Sequence, residues 1–143
     1  MSAAGIVGDR EVSEEDFKLL EDAIKYSGLK ITKVISGGAK GADTLAAKWA
    51  KKNKVKLIEH KPDWDDLDAE GAVVRTNAYG KQYNARAGFD RNQTIVDDSE
   101  AIIALQPNGR SDGTADTIER AKKRGIPVFI FPVPRTDDHS YEF

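Results

Sequence analysis

One stretch limits the folds open to this chain more than any other: Val34-Ile35-Ser36-Gly37-Gly38-Ala39-Lys40-Gly41-Ala42-Asp43. A short β-branched run stops at two glycines, a third glycine follows, and a helix-forming run opens. That order predicts a strand, a tight turn and a helix start. Glycines let a ligand come close to the main chain. The first turn of a helix adds N–H groups without an intrahelical partner, which suits an anion.

The remainder of the chain repeats this rhythm. Ala3 to Gly8 is an apolar run that reads as a buried first strand, and Gly8-Asp9-Arg10 leaves its end. Ser13, followed by Glu14, Glu15 and Asp16, reads as a helix N-cap with an acidic first turn. Phe17, Leu20 and Ile24 then form one apolar stripe. Gly28 stops that helix, and the second strand spans Ile31 to Ile35. A helix over about 41–53 and a strand from Val55 to Glu59 come next. Further on, the pattern predicts a helix over about 88–98, with Phe89, Ile95 and Val96 apolar, and a strand from Ala101 to Leu105. A helix from Thr114 to Arg124 and a strand from Ile126 to Phe131 complete the series, with Pro132 and Pro134 as strand stops. Strands alternating with helices imply right-handed crossovers and a parallel sheet. The expected fold is α/β: a Rossmann-like, doubly wound, mainly parallel sheet of five or more strands in a single domain over residues 1–143. Residues 61–83 read as a long loop or insertion, since roughly twenty residues without periodicity is long for a connection. Residues 132–143 read as a polar tail.

Composition narrows the chemistry. A length of 143 residues suffices for one domain with a real core. The formal net charge of -2 gives no global basic field for nucleic acid. Six lysines fall between Lys48 and Lys61, and the plainer reading of them is a solvated helix face. With no cysteine there is no disulfide, thiol nucleophile or Cys-based zinc site. The absence fits a reducing cytoplasm, the expected location. Two histidines far apart in sequence make a metal site improbable, and no cofactor is expected. No apolar run approaches the ~20 residues that span a membrane.

Three strand ends carry the candidate chemistry. The turn from Gly37 to Gly41 is neither a P-loop nor GxGxxG, and it can be read as plain architecture. Ser36 and Lys40 add a hydroxyl and a cation to its N–H groups, and Asp43 can accept from a ribose or base or simply favour the helix dipole. Gly113-Thr114 at a second helix start can bind phosphate, or Asp112 or Thr114 can serve as an ordinary cap. Arg91-Asn92 forms a third element, with Arg91 suited to a phosphate or to an ion pair with Asp97 or Asp98. Trp64, Tyr79 and Tyr83 could stack on a base or anchor the long loop.

Taken together, these residues resemble the YspA/YpsA-related branch of the SLOG superfamily, which also includes Smf/DprA and the LOG enzymes. The resemblance rests on Gly8-Asp9-Arg10, on Ser36 to Asp43 with Leu45, Ala46, Trp49 and Ala50, on Ala87-Gly88 with Arg91-Asn92, and on Gly113-Thr114-Ala115-Asp116. It runs from about Ile6 to Phe131. It implies a nucleotide or nucleotide-derived ligand held by Gly8, Arg10, Ser36, Gly37, Gly38, Lys40, Gly41, Asp43, Arg91, Asn92, Gly113, Thr114 and Asp116. Two departures stand out. Asp9 replaces the usual serine of Gly-Ser-Arg. The PGGxGTxxE signature of LOG enzymes is missing, with Thr117 at the Glu position. Asp116 and Glu119 are the candidate stand-ins for a catalytic carboxylate.

The expected function is therefore binding of a nucleotide or nucleotide-like signal. The alternatives are a nucleotide N-glycosidase of the phosphoribohydrolase type and a DprA-like binder of single-stranded DNA, which the acidic balance disfavours. A homodimer or higher homo-oligomer is expected, without a membrane partner.

Overall fold

The computed structural model describes residues 2–8, 16–37, 42–107 and 112–133. The first half alternates strand and helix: β1 (Ser2–Gly8), α1 (Phe17–Ser27), β2 (Ile31–Ser36), α2 (Ala42–Lys52) and β3 (Lys56–Glu59). A short hairpin follows, β4 (Val74–Thr76) and β5 (Gln82–Asn84). Then come α3 (Ala87–Asp98), β6 (Ala101–Pro107), α4 (Asp112–Arg124) and β7 (Val128–Val133). The main sheet has five strands in the order β3-β2-β1-β6-β7, all parallel. This is the expected doubly wound α/β architecture.

Alternation along the strands builds a core on each face. Ile6, Val34, Ile103 and Leu105 meet Phe17 and Leu20 of α1 and Leu45 and Trp49 of α2. Their neighbours Val7, Ile35, Ile102 and Ala104 meet Ile95 and Val96 of α3 and Ile118 and Ala121 of α4. Fully burying such side chains stabilises by about 1.5–3 kcal/mol each. The three central strands are apolar on both faces, as a parallel sheet between two helical layers requires.

Sequence expectations and structure differ in informative places. Helix α1 begins at Phe17, with Asp16 at the cap position making no side-chain cap bond. The expected cap at Ser13 lies outside the described residues. Phe89 is 47% exposed, because α3 turns Ala87, Asn92, Ile95 and Val96 to the sheet and carries Phe89 on its outer side. Pro132 does not stop β7. It pairs in register with Gln106, and an edge strand tolerates a residue lacking an N–H donor. Among the described residues no helix is long and apolar enough to cross a membrane.

The segment expected to be an irregular loop contains the antiparallel β4–β5 hairpin. Asn77 organises its turn, accepting from the N–H groups of Tyr79 at 2.8 Å and Lys81 at 3.0 Å. The base is held by Asn84, whose residue is only 3% exposed. Its Oδ1 accepts from Val73 N at 3.2 Å and Arg86 N at 3.0 Å, and its Nδ2 donates to Asp66 O at 3.2 Å. Trp64 stands edge-on to Tyr83 with ring centroids 6.1 Å apart. It also lies over Gly88, where a Cβ would come within 2.8 Å of the indole. Trp64 therefore anchors the insertion on α3, with Tyr83 against it, while Tyr79 is 95% exposed. Replacing Asn84 with alanine strands the two backbone donors and is expected to cost about 1–3 kcal/mol. Urea unfolding and limited proteolysis check this: a variant as stable and as protected over residues 61–86 as the parent would remove Asn84 from this role.

Candidate functional site

Three parallel strands, β2, β1 and β6, end side by side at one edge of the sheet. The chain leaves β1 for β2 on one side and later returns to β6 on the other. The order therefore reverses between β1 and β6, and in such sheets ligands sit outside the strand ends at that point. Gly8 ends β1 there, with Ala42 of α2 so close that a Cβ at Gly8 would lie 2.7 Å from it. Ser36 ends β2 fully buried. The turn that follows begins at Gly37.

Gly37 is buried, and the Arg91 guanidinium occupies the space a side chain would take. The Oδ2 of Asp43 would lie 3.0 Å from a Cβ placed there. Arg91 Nη1 donates to Gly37 O at 2.9 Å, and its Nε donates to Asn92 Oδ1 at 3.1 Å. Asn92 is buried on α3 and passes the connection on. Its Nδ2 donates to Gly113 O at 3.3 Å and to Asp116 Oδ2 at 3.1 Å. Two adjacent residues of α3 thus bridge the end of β2 to the first turn of α4, 54 residues from Gly37 and 21 from Gly113 in sequence. Arg91 makes this backbone contact, whereas Asp97 pairs with Arg124 and Asp98 with His60.

The first turn of α4 is equally occupied. Thr114 is 3% exposed and Thr117 is 1% exposed. Thr117 Oγ1 donates to Gly113 O at 3.1 Å. Asp116 accepts from Arg120 Nε at 2.7 Å as well as from Asn92. Arg120 Nη1 also donates to Gln93 Oε1 at 3.0 Å. Glu119 points to the exposed side of α4, with Lys123 Nζ 3.7 Å from its carboxylate.

Of the residues marked out in sequence, Gly37, Arg91, Asn92, Gly113 and Asp116 join one hydrogen-bonded group, with Asp43 close to Gly37. Gly8, Ser36 and Thr114 stand at the same strand and helix ends. Arg10, Gly38, Lys40 and Gly41 lie outside the described residues, as does Asp9. Gln93 and Arg120 join the network without having been singled out. The signal for Arg120 was its place four residues after Asp116 on a helix, where opposite charges meet. Gln93 had no such signal, since its partner is on another helix. Among the described residues no group of three or more acidic or histidine side chains could hold a metal ion.

Comparison with known proteins adds three findings. A model of the YspA, cpYpsA-related SLOG family matches residues 8–66. Gene 61 protein of Mycobacterium phage D29 is 34% identical over 98 residues, covering 68% of this chain and 70% of that protein. The X-ray structure of DNA processing protein A (DprA) from Streptococcus pneumoniae aligns with a TM-score of 0.69 and 25% identity over 98% of this chain. The chain spans 56% of that DprA chain. The family match ends before Arg91, so the Arg91-Asn92 bridge is a structural observation independent of it.

Asn92 offers a direct check on the bridge. Alanine removes both amide donors and is expected to cost about 1–3 kcal/mol in urea unfolding. Aspartate is expected to cost more, because it sets a carboxylate against Gly113 O and the Asp116 carboxylate. An Asn92→Asp protein at least as stable as Asn92→Ala would contradict the donor roles.

Proposed function

The chain belongs to the YspA, cpYpsA-related SLOG family, and from that premise we propose that it binds a nucleotide or nucleotide-derived ligand. The phosphate sits at the strand ends, against the Gly37 turn and the first turn of α4. One observation carries the reading: Arg91 donates to Gly37 O and the adjacent Asn92 to Gly113 O, so neighbouring residues of α3 hold both glycine turns. An arginine beside helix N-termini is a strong anion partner, because its planar fork and the N–H groups favour the same charge. Gly38, Lys40, Gly41 and Arg10 are assigned to this site by sequence, with Gly8, Ser36, Asp43, Thr114 and Asp116 beside them. The reading includes a cytoplasmic homodimer, which light scattering tests.

Binding is favoured over N-glycosidic cleavage by the state of the carboxylates. Cleavage of that kind needs an acid that can stabilise oxocarbenium-like charge or activate water. Thr117, at the position of the LOG glutamate, is buried with its hydroxyl on Gly113 O. Asp116 is held by Arg120 and Asn92, and Glu119 faces Lys123. A second reading, binding of single-stranded DNA, is favoured by the alignment to DNA processing protein A along nearly the whole chain. Against it, Lys48 and Lys52 sit over the Phe17 ring at 4.6 and 5.4 Å, so part of the lysine run is engaged within the fold.

A thermal-shift panel of nucleoside phosphates, dinucleotides and ADP-ribose tests the first reading. A ligand at a hundred times its Kd adds about 2.7 kcal/mol of stability. Arg91→Ala is expected to abolish that shift while still unfolding cooperatively. No shift with any member at millimolar concentration overturns the proposal. Binding of a labelled oligonucleotide that weakens steeply with salt would instead favour the second reading.

A further inference from the structure

A cleft of about 410 Å³ opens beside the strand ends, between β3, the insertion and α3. That volume falls within the range of small-molecule sites. Its floor adjoins the end of β2: Glu59 pairs in register with Ser36, and His60 N donates to Ser36 O at 2.8 Å. The cleft is thus about one strand spacing, ~4.8 Å, from the Gly37 turn. Arg91 lines the cleft while donating to Gly37 O. One side chain is shared by the cleft and the proposed phosphate site.

The outer wall is the insertion, represented by Asp63, Asp66, Ala69 and Asn84. Asn84 fixes that wall through its three bonds to Val73, Arg86 and Asp66. The wall is built from part-buried hydrogen bonds within the chain.

The lining is selective. It contains no Phe, Tyr or Trp, and Trp64 is turned onto Tyr83 and Gly88. A base would find no large aromatic face to stack on. Instead it combines the acceptors Glu59, Asp63, Asp66 and Asp90 with the donors Lys61 and Arg91, and with His60. Hydroxyl groups both donate and accept, so a neutral polyol matches this mixture better than an anion or a flat heterocycle. Among the described residues no hydrogen bond or ion pair engages the carboxylates of Asp63 and Asp66.

Resting on the phosphate-site reading above, we propose that this cleft receives the vicinal hydroxyls of the ligand's sugar, and that the insertion makes the protein selective for ribose over deoxyribose. The ligand class is then a ribose 5-phosphate ester whose base or other substituent projects outward. Asp63 and Asp66 accept from the sugar hydroxyls, and Arg91 orients the phosphate end.

Calorimetric titration of adenosine 5′-monophosphate, 2′-deoxyadenosine 5′-monophosphate, ribose 5-phosphate and inorganic phosphate tests this. The two ribose compounds are expected to bind about tenfold more tightly than the deoxynucleotide, the effect of one hydrogen bond to a charged group. Asp63→Asn together with Asp66→Asn is expected to weaken the ribonucleotide more than the deoxynucleotide and so to erase the ribose preference. Equal affinities for the ribo and deoxy forms in the parent protein overturn the sugar assignment and leave the phosphate site standing. A ribose preference unchanged in the double variant overturns its placement in this cleft. Absence of binding by all four probes overturns the phosphate site itself and this inference with it.

Discussion

The bond from Arg91 to the carbonyl of Gly37 ties α3 to the C-terminal edge of the sheet. Where a parallel strand ends, its last carbonyls lose their ladder partners, and leaving them buried without donors is costly. Here α3 supplies the donors. Arg91 serves the end of β2, and Asn92 serves the start of α4. The contact requires a glycine at position 37, since any Cβ would overlap the guanidinium. The same interaction that satisfies the backbone therefore brings a cation to the turn.

The insertion is a second built structure around that edge. Its length invites comparison with mobile lids, yet its bonds are those of a fixed wall. Asn84 uses both ends of its amide, and Trp64 covers Gly88 at the start of α3. The walls of the adjacent cleft are thus formed by α3 and by a segment stapled to α3, and Arg91 belongs to both the cleft and the turn.

At the start of α4 the carboxylate is engaged within the fold. Asp116 lies between Asn92 and Arg120, and Thr117 occupies the place of an acid and bonds Gly113 O. The surface charge follows the same rule. Lys48 and Lys52 cover Phe17, Lys52 also reaches Glu21, and Arg124 reaches Asp97. Likeness of fold to DNA processing protein A does not by itself carry a polyanion surface, because fold sets where strands end and side chains decide what meets a ligand there.

The sequence by itself determined the alternation of strand and helix, the parallel sheet and the residues at the ends of its strands. Those features are local: β-branched runs ending in glycine, helix stripes at three and four residues, and turns that stop them. Gly37, Arg91, Asn92, Gly113 and Asp116 were legible as separate elements of a pattern. Only tertiary structure decided what joins them. Arg91 could have served a surface ion pair, and Trp64 and Tyr83 could have faced a base. Phe89 belonged to an apolar set in sequence and stands at the surface in the fold. Each outcome depends on a partner far along the chain, such as Gly37 for Arg91, Gly113 for Asn92 and Gly88 for Trp64. Periodicity describes one element's faces, whereas the fold sets which elements become neighbours and so which groups must satisfy one another.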